Sequence, residues 1–172
     1  MNGLVIDASV AVCIARHERE AEAAVTAISN STTNNERVVV PAFFWTEVAD
    51  ALLMRHKWTG AAVLAAIHHL DEMRLETLEI DRPLVVLAID LAERHGLTAY
   101  DASYLALAIS TDAHVATFDK ALLAAAGLRA IQIGPHRLSE PSAIYEHTVT
   151  WPNYKGASAF LAKLRAEAAR PG

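Results

Sequence analysis

Only one cysteine, Cys13, occurs in the 172 residues, so an internal disulfide is excluded. Its place in the apolar run from Ala8 to Ala15 marks it as a small buried hydrophobe rather than a nucleophile, and a reducing compartment fits that usage. No segment approaches the ~20 apolar residues of a membrane span, and the N-terminus MNGLVIDASV lacks the basic region and long apolar core of a secretion signal. We therefore expect a soluble, cytoplasmic protein with no membrane partner. Aromatic residues are scarce at 6%, whereas the 53% hydrophobic composition is rich in Ala, Leu and Val, which favours helices around a branched-aliphatic sheet. Positive charge is also in deficit. The formal net charge of -5 disfavours a broad non-specific nucleic-acid surface, although it leaves room for a local groove.

Within a length suited to one core, strand-like and helix-like segments alternate. GLVI before Asp7 reads as a short buried strand, and ASVAVCIARH after it as a helix. A second helix is expected from about Glu18 to Ile28, followed by a polar loop, SNSTTNNE. RVVVP is a strand closed by proline, and a helix then begins near Phe43 and ends in basic residues. Thr59 caps another, to about Asp71. LETLEI alternates like a half-exposed strand, and RPLVVLAIDLAERHG is a helix with Pro in its first turn and Gly at its end. From Tyr100 a helix runs to about Ser110, HVATF is a strand, DKALLAAAG a helix and RAIQI a last strand. This alternation predicts a three-layer α/β/α fold with a central parallel sheet of about five strands, in which ligands sit beyond the carboxyl ends of the strands. We place that domain at residues 1–134. Residues 135–172 form a C-terminal extension with three early prolines and a terminal amphipathic helix, in which Ala157, Phe160, Leu161, Leu164 and Ala168 recur at 3- or 4-residue steps.

Four acids are expected at the carboxyl edge of this sheet. Asp7 directly follows the first strand and Asp119 directly follows HVATF. Glu47 lies one turn into the helix after VVVP, and Asp101 in the first turn of the helix within LTAYDASYLALA. Taken singly, each has an ordinary explanation: Asp7 and Asp119 as N-caps, Glu47 and Asp101 as first-turn acids that complement the helix dipole. Together they point further. Converging carboxylates raise one another's pKa unless a cation lies among them, and an all-oxygen set without His or Cys suits Mg²⁺, with Mn²⁺ able to substitute. Such sites hydrolyse phosphodiesters with metal-activated water and need no protein nucleophile. Ser9 and Thr117 flank two of the acids and could hydrogen-bond them, or could serve as local caps. Tyr104 could stack on a base, but packing in the core is the simpler reading. Arg16, Arg55 and Lys120 are candidate RNA contacts.

The stretches VIDASV, FFWTEVADAL, LTAYDASYLALA and HVATFDKALL together resemble the PIN-domain ribonucleases, in particular the VapC toxins of type II toxin–antitoxin modules. The resemblance spans about Leu4 to Ile133 and leaves the extension uncovered. It implies that Asp7, Glu47, Asp101 and Asp119 are the acidic quartet that binds Mg²⁺ or Mn²⁺ for endonucleolytic hydrolysis of single-stranded or loop RNA, with tRNA or rRNA as the substrate class. It gives Ser9 and Thr117 places where the family carries hydroxyls. It also implies a homodimer and a cognate VapB-type antitoxin that threads a C-terminal segment over the site. Two rivals remain open from the residues. A phosphatase of Rossmann-like fold could use Asp7 as nucleophile, although Ser9 stands where haloacid-dehalogenase-like phosphatases place a second Asp. A catalytically silent interaction module could retain the acids as caps.

Overall fold

The computed structural model describes residues 3–131 and residue 133; the expected extension from residue 135 lies outside the described residues. Five strands, β1 (Gly3–Ile6), β2 (Arg37–Pro41), β3 (Glu76–Leu78), β4 (His114–Ala116) and β5 (Ala130–Ile131), form one sheet in the order β3-β2-β1-β4-β5. Every pairing is parallel, with Val5 opposite Val39 on one side and Val115 on the other. The sheet is thus the α/β arrangement that the alternation of segments predicts. Its middle strands read as near-continuous aliphatic runs because both of their faces are covered. Leu4, Val5, Ile6, Val38, Val39, Val40 and Val115 are all buried. Gly3 is required by a close approach: a Cβ there would stand 3.0 Å from the Arg37 carbonyl oxygen.

Seven α-helices are described: α1 (Ala8–Ala15), α2 (Ala21–Thr33), α3 (Phe44–Asp50), α4 (Gly60–Asp71), α5 (Arg82–His95), α6 (Ala99–Ser110) and α7 (Lys120–Ala126). Helices α1 to α4 pack among themselves, while α6 packs against α5 and α7 and crosses β1, β2 and β4. With right-handed crossovers, the chain moves outward from β1 to β3 on one face and returns on the other to place β4 beside β1. The direction of winding therefore reverses between β1 and β4. In open sheets this switch point is where the carboxyl ends leave a crevice for ligands.

The segment LTAYDASYLALA forms the start and body of α6. Seven consecutive residues, Ala102 to Ala108, are buried. The alanines let the helix lie close to the sheet, while Leu105 and Leu107 each add about 2 kcal/mol of apolar burial. Cys13 is buried, and its thiol is pushed up to about 11 by burial and by the charges of Glu18 and Glu20. It behaves as the packing residue its sequence setting suggests.

Several boundaries differ from expectation. Helix α2 starts at Ala21 rather than Glu18 and runs on to Thr33, absorbing most of the polar stretch expected to be a loop. Burial of Ile28 and Ser31 anchors that extra turn. The Thr26 and Thr32 hydroxyls turn inward to the Glu22 and Ser29 carbonyls, at 2.8 and 2.9 Å. Packing thus overrides the turn preference of Ser, Thr and Asn, and only at Asn35, with φ 60°, does the chain reverse. Strand β3 is shorter than Leu75–Ile80 because it is an edge strand. It is held by two Arg37–Glu76 bonds of 2.7 Å and by Trp45 donating to Thr77 at 3.0 Å. Helix α3 runs directly into a π-helical segment, Ala51–Arg55.

Candidate active site

Asp7 stands where β1 becomes α1. Its backbone N–H reaches the Ala116 carbonyl at 3.1 Å, extending the β1–β4 ladder by one residue. Its side chain is the N-cap of α1 and accepts the Ser9 N–H on Oδ1. The Thr117 hydroxyl donates to its Oδ2. The hydroxyls named from sequence join the two strand ends in both directions, Thr117 by that bond to Asp7 and Ser9 by its Oγ, which accepts the Phe118 N–H at 3.0 Å; locally, Thr117 Oγ1 also accepts the Asp119 N–H at 2.9 Å. Asp119 does not directly follow the strand, because β4 ends at Ala116. Thr117 and Phe118 carry the chain to it, and its Oδ1 caps α7 through the Leu122 N–H at 2.8 Å.

Glu47 and Asp101 approach from helix N-termini. Glu47 lies in the first turn of α3, half-buried, with Oε2 accepting the Tyr104 hydroxyl at 2.6 Å. Asp101 lies in the first turn of α6, where the Thr98 hydroxyl donates to its Oδ2 at 2.6 Å while accepting the Asp101 N–H at 3.1 Å. This reciprocal Thr98–Asp101 box is a helix-capping device, and it fixes the carboxylate that begins the buried helix. Charge at position 101 is therefore compatible with an apolar helix because it sits at the favourable end of the dipole, before burial begins.

The carboxyls of Asp7 and Glu47 are perturbed. Burial raises the pKa of Asp7, with the Asp101 charge adding to the shift, while the bonds from Thr117 and Ser9 oppose it. Burial also raises that of Glu47, with the charges of Asp7 and Asp101 adding and the Tyr104 hydroxyl and Arg55 opposing. Asp7, Glu47 and Asp101 thus lie within electrostatic reach of one another at the switch point, whereas Asp119 is tied to Thr117 only through its backbone N–H and its carboxylate is turned to the start of α7. Among the described residues, no three carboxylate, imidazole or thiolate groups lie close enough to surround one ion as the side chains stand. The expected convergence is therefore looser than a finished coordination shell: like charges repel, and each carboxylate turns to its own local donors. The donor set nevertheless fits a hard cation. It is all oxygen, each of these carboxylates keeps acceptor capacity beyond the bonds described, and the burial and mutual repulsion at Asp7 and Glu47 are what a cation would offset.

Tyr104 does not offer a face for base stacking. The residue is 1% exposed, and its hydroxyl is committed to Glu47. Burial and the neighbouring Glu47 carboxylate push its pKa far above the ordinary phenol value. Its hydrogen bond to Glu47, linking α6 to α3, could not be read from spacing because the partners are 57 positions apart. Thr98 was legible in principle, since T-A-Y-D has the Thr-x-x-acid spacing of a capping box. Of the three cations named as RNA contacts, Arg55 acts on Glu47, Arg16 is paired with Glu18, and Lys120 is exposed at the start of α7.

No helix among the described residues is long and apolar enough to cross a membrane. No curated protein matches the sequence. Solved structures do. PAE2754 of Pyrobaculum aerophilum is 26% identical, with TM-score 0.54, over 74% of this chain and 82% of that one. A toxin–antitoxin complex from Klebsiella pneumoniae is 16% identical, with TM-score 0.55, over 76% and 97%. The sarcin–ricin-loop-cleaving toxin VapC20 of Mycobacterium tuberculosis is also 16% identical, with TM-score 0.55, over 72% and 95%. A family model for the PIN domain matches residues 4–128, from the first buried strand through the helix capped by Asp119. With its acids placed at the switch point of a five-stranded parallel sheet, this chain belongs to the PIN domain family.

Proposed function

We propose that the protein is a metal-dependent endoribonuclease, the toxin of a type II toxin–antitoxin module, which cuts single-stranded or loop regions of cellular RNA such as tRNA or rRNA in the cytoplasm. The observation that carries this reading is the set of mutually repelling carboxylates at the switch point, Asp7, Glu47 and Asp101, with the Asp119 backbone N–H bonded to the Thr117 hydroxyl that donates to Asp7. Support comes from the fold, which is shared with a toxin described as cleaving the sarcin–ricin loop and with a toxin–antitoxin complex. In this reading Asp7, Glu47, Asp101 and Asp119 hold Mg²⁺, or Mn²⁺ in its place. When bound, the ion supplies Lewis acidity toward the scissile phosphate and a lowered pKa for the attacking water.

The rest is done by the chain itself. Ser9 and Thr117 hold the Asp7 carboxylate against the strand ends, Thr98 holds Asp101 and Tyr104 holds Glu47. At Asp7 and Glu47 these donors oppose the upward pKa shift that burial imposes. Arg55, Arg16 and Lys120 are assigned to substrate phosphates, and few such contacts suffice for a short unpaired segment. A VapB-type antitoxin covering the acids, a homodimer, and a nuclease domain at 1–134 with residues 135–172 as a separate extension complete the proposal.

The test is cleavage of a pool of structured cellular RNAs by the full chain with Mg²⁺, with Mn²⁺ and with chelator, alongside Asp7→Asn. Discrete metal-dependent cuts that fall by at least about a hundredfold in the variant are expected. Hydrolysis of a phosphate monoester without RNA cleavage would favour the phosphatase, and absence of both activities would favour an interaction module.

A further inference from the structure

We infer that Tyr100 is the platform on which an unpaired base of the substrate stacks, an assignment that rests on the ribonuclease reading above. Tyr100 directly precedes Asp101 in the first turn of α6 and is 64% exposed. A lone exposed tyrosine would mean little, but this one is braced. Its ring meets Phe43 edge to face, with centroids 5.3 Å apart and planes at 80°. Phe43 in turn meets Tyr104 at 5.4 Å and 80°. Tyr104 is buried and donates its hydroxyl to Glu47. Three of the chain's few aromatics therefore form a line from the buried carboxylate to the surface, and its outermost ring stands beside Asp101.

That geometry suits a nucleobase. A phosphate drawn to the cation site carries its base one sugar away, and among the described residues the exposed aromatic surface next to Asp101 is the Tyr100 ring. Every base has a π-face, so stacking tolerates sequence while demanding that the base be unpaired. Bracing by Phe43 limits the freedom the ring would lose on binding, which is what makes a platform effective. Tyr104, the ring first considered for this role, instead anchors the inner end of the line.

The experiment compares full-length wild type, Tyr100→Ala, Tyr100→Phe and Tyr100→Trp in two assays. One is steady-state cleavage of a single-stranded RNA. The other is quenching of a 2-aminopurine-labelled, uncleaved analogue of that RNA. Tyr100→Ala is expected to raise KM about tenfold with kcat changed less than about twofold, and to abolish the quench. Tyr100→Phe and Tyr100→Trp are expected to keep both near wild type, because they keep the ring. The assignment is overturned if Tyr100→Ala matches wild type, or if Tyr100→Phe is as damaging as Tyr100→Ala, which would make the hydroxyl the active group. It is equally overturned if Tyr100→Ala alters only the oligomeric state, which would make the ring a protein contact. Should wild type neither bind nor cleave RNA with any divalent ion, the ribonuclease reading falls and takes this assignment with it. Wild-type cleavage insensitive to the Tyr100→Ala change removes the assignment alone.

Discussion

Replacing Tyr104 by Phe isolates one interaction of the site. The ring stays, with its burial and its contact to Phe43, and only the hydroxyl that reaches Glu47 Oε2 at 2.6 Å is removed. A hydrogen bond to a charged group contributes about 1.5–3 kcal/mol. Glu47 is half-buried, so water partly replaces the lost donor and the lower end, about 1.5 kcal/mol, is expected at pH 8. For a domain of this size that corresponds to a fall in Tm of roughly 3–6 °C. The effect has a pH signature. The Tyr104 hydroxyl favours ionised Glu47, so its loss raises the Glu47 pKa further above the ordinary value of 4.5. The difference between variant and wild type is therefore full above the folded pKa of Glu47. Near pH 4, where the group is protonated in both proteins, it shrinks toward that of a neutral bond, about 0.5–1 kcal/mol. Urea denaturation of both proteins in chelator at pH 8 and pH 4 measures this. A difference below about 0.5 kcal/mol at pH 8, or one unchanged between the two pH values, would refute the argument. A double-mutant cycle with Glu47→Gln then apportions the coupling.

Two further predictions concern the acids. Asp7 and Glu47 have folded pKa values above their ordinary 3.8 and 4.5, so the native state binds more protons in that window. Their contribution to stability is present below those values and is lost as pH rises through the folded ones. Metal-free Asp7→Asn should accordingly melt higher than wild type at pH 7, by about 2–4 °C, with a flatter decline in stability above pH 4, and added Mg²⁺ should stabilise wild type more than the variant. Thermal melts that show Asp7→Asn less stable at neutral pH would contradict the burial argument. Thr98→Val removes both bonds of the Thr98–Asp101 box and should cost about 1 kcal/mol in urea titration; an unchanged midpoint would mean that the cap does not stabilise α6.

Local patterns made much of the fold readable. Helix α5 is bounded by its own residues: Asp81 caps it, Pro83 lies in its first turn and Gly96, at φ 64°, ends it. No distant contact was needed to place it, because caps and breakers act within one turn. The end of α2 was not readable in this way. Ser29 to Thr33 favour a turn when taken alone, and burial of Ile28 and Ser31 decides otherwise. The site divides similarly. Asp7, Glu47, Asp101 and Asp119 could be chosen because each follows or opens a recognisable element, and Ser9 and Thr117 because they flank two of them.

Strand ends and first helical turns could be assigned from the chain alone, since they depend on periodicity and capping within a few positions. The chain also supplied the alternation that makes a parallel sheet the favoured solution. The return of β4 beside β1 was not written in any local pattern; it follows from packing of the whole sheet and brings Thr117 onto Asp7 across 110 positions. The same packing turned the Tyr104 hydroxyl onto Glu47 and left Tyr100, not Tyr104, facing solvent. The physical reason is that burial and long-range hydrogen bonds are properties of the packed whole. A side chain four residues further along the same helix changes from surface to core according to what crosses above it.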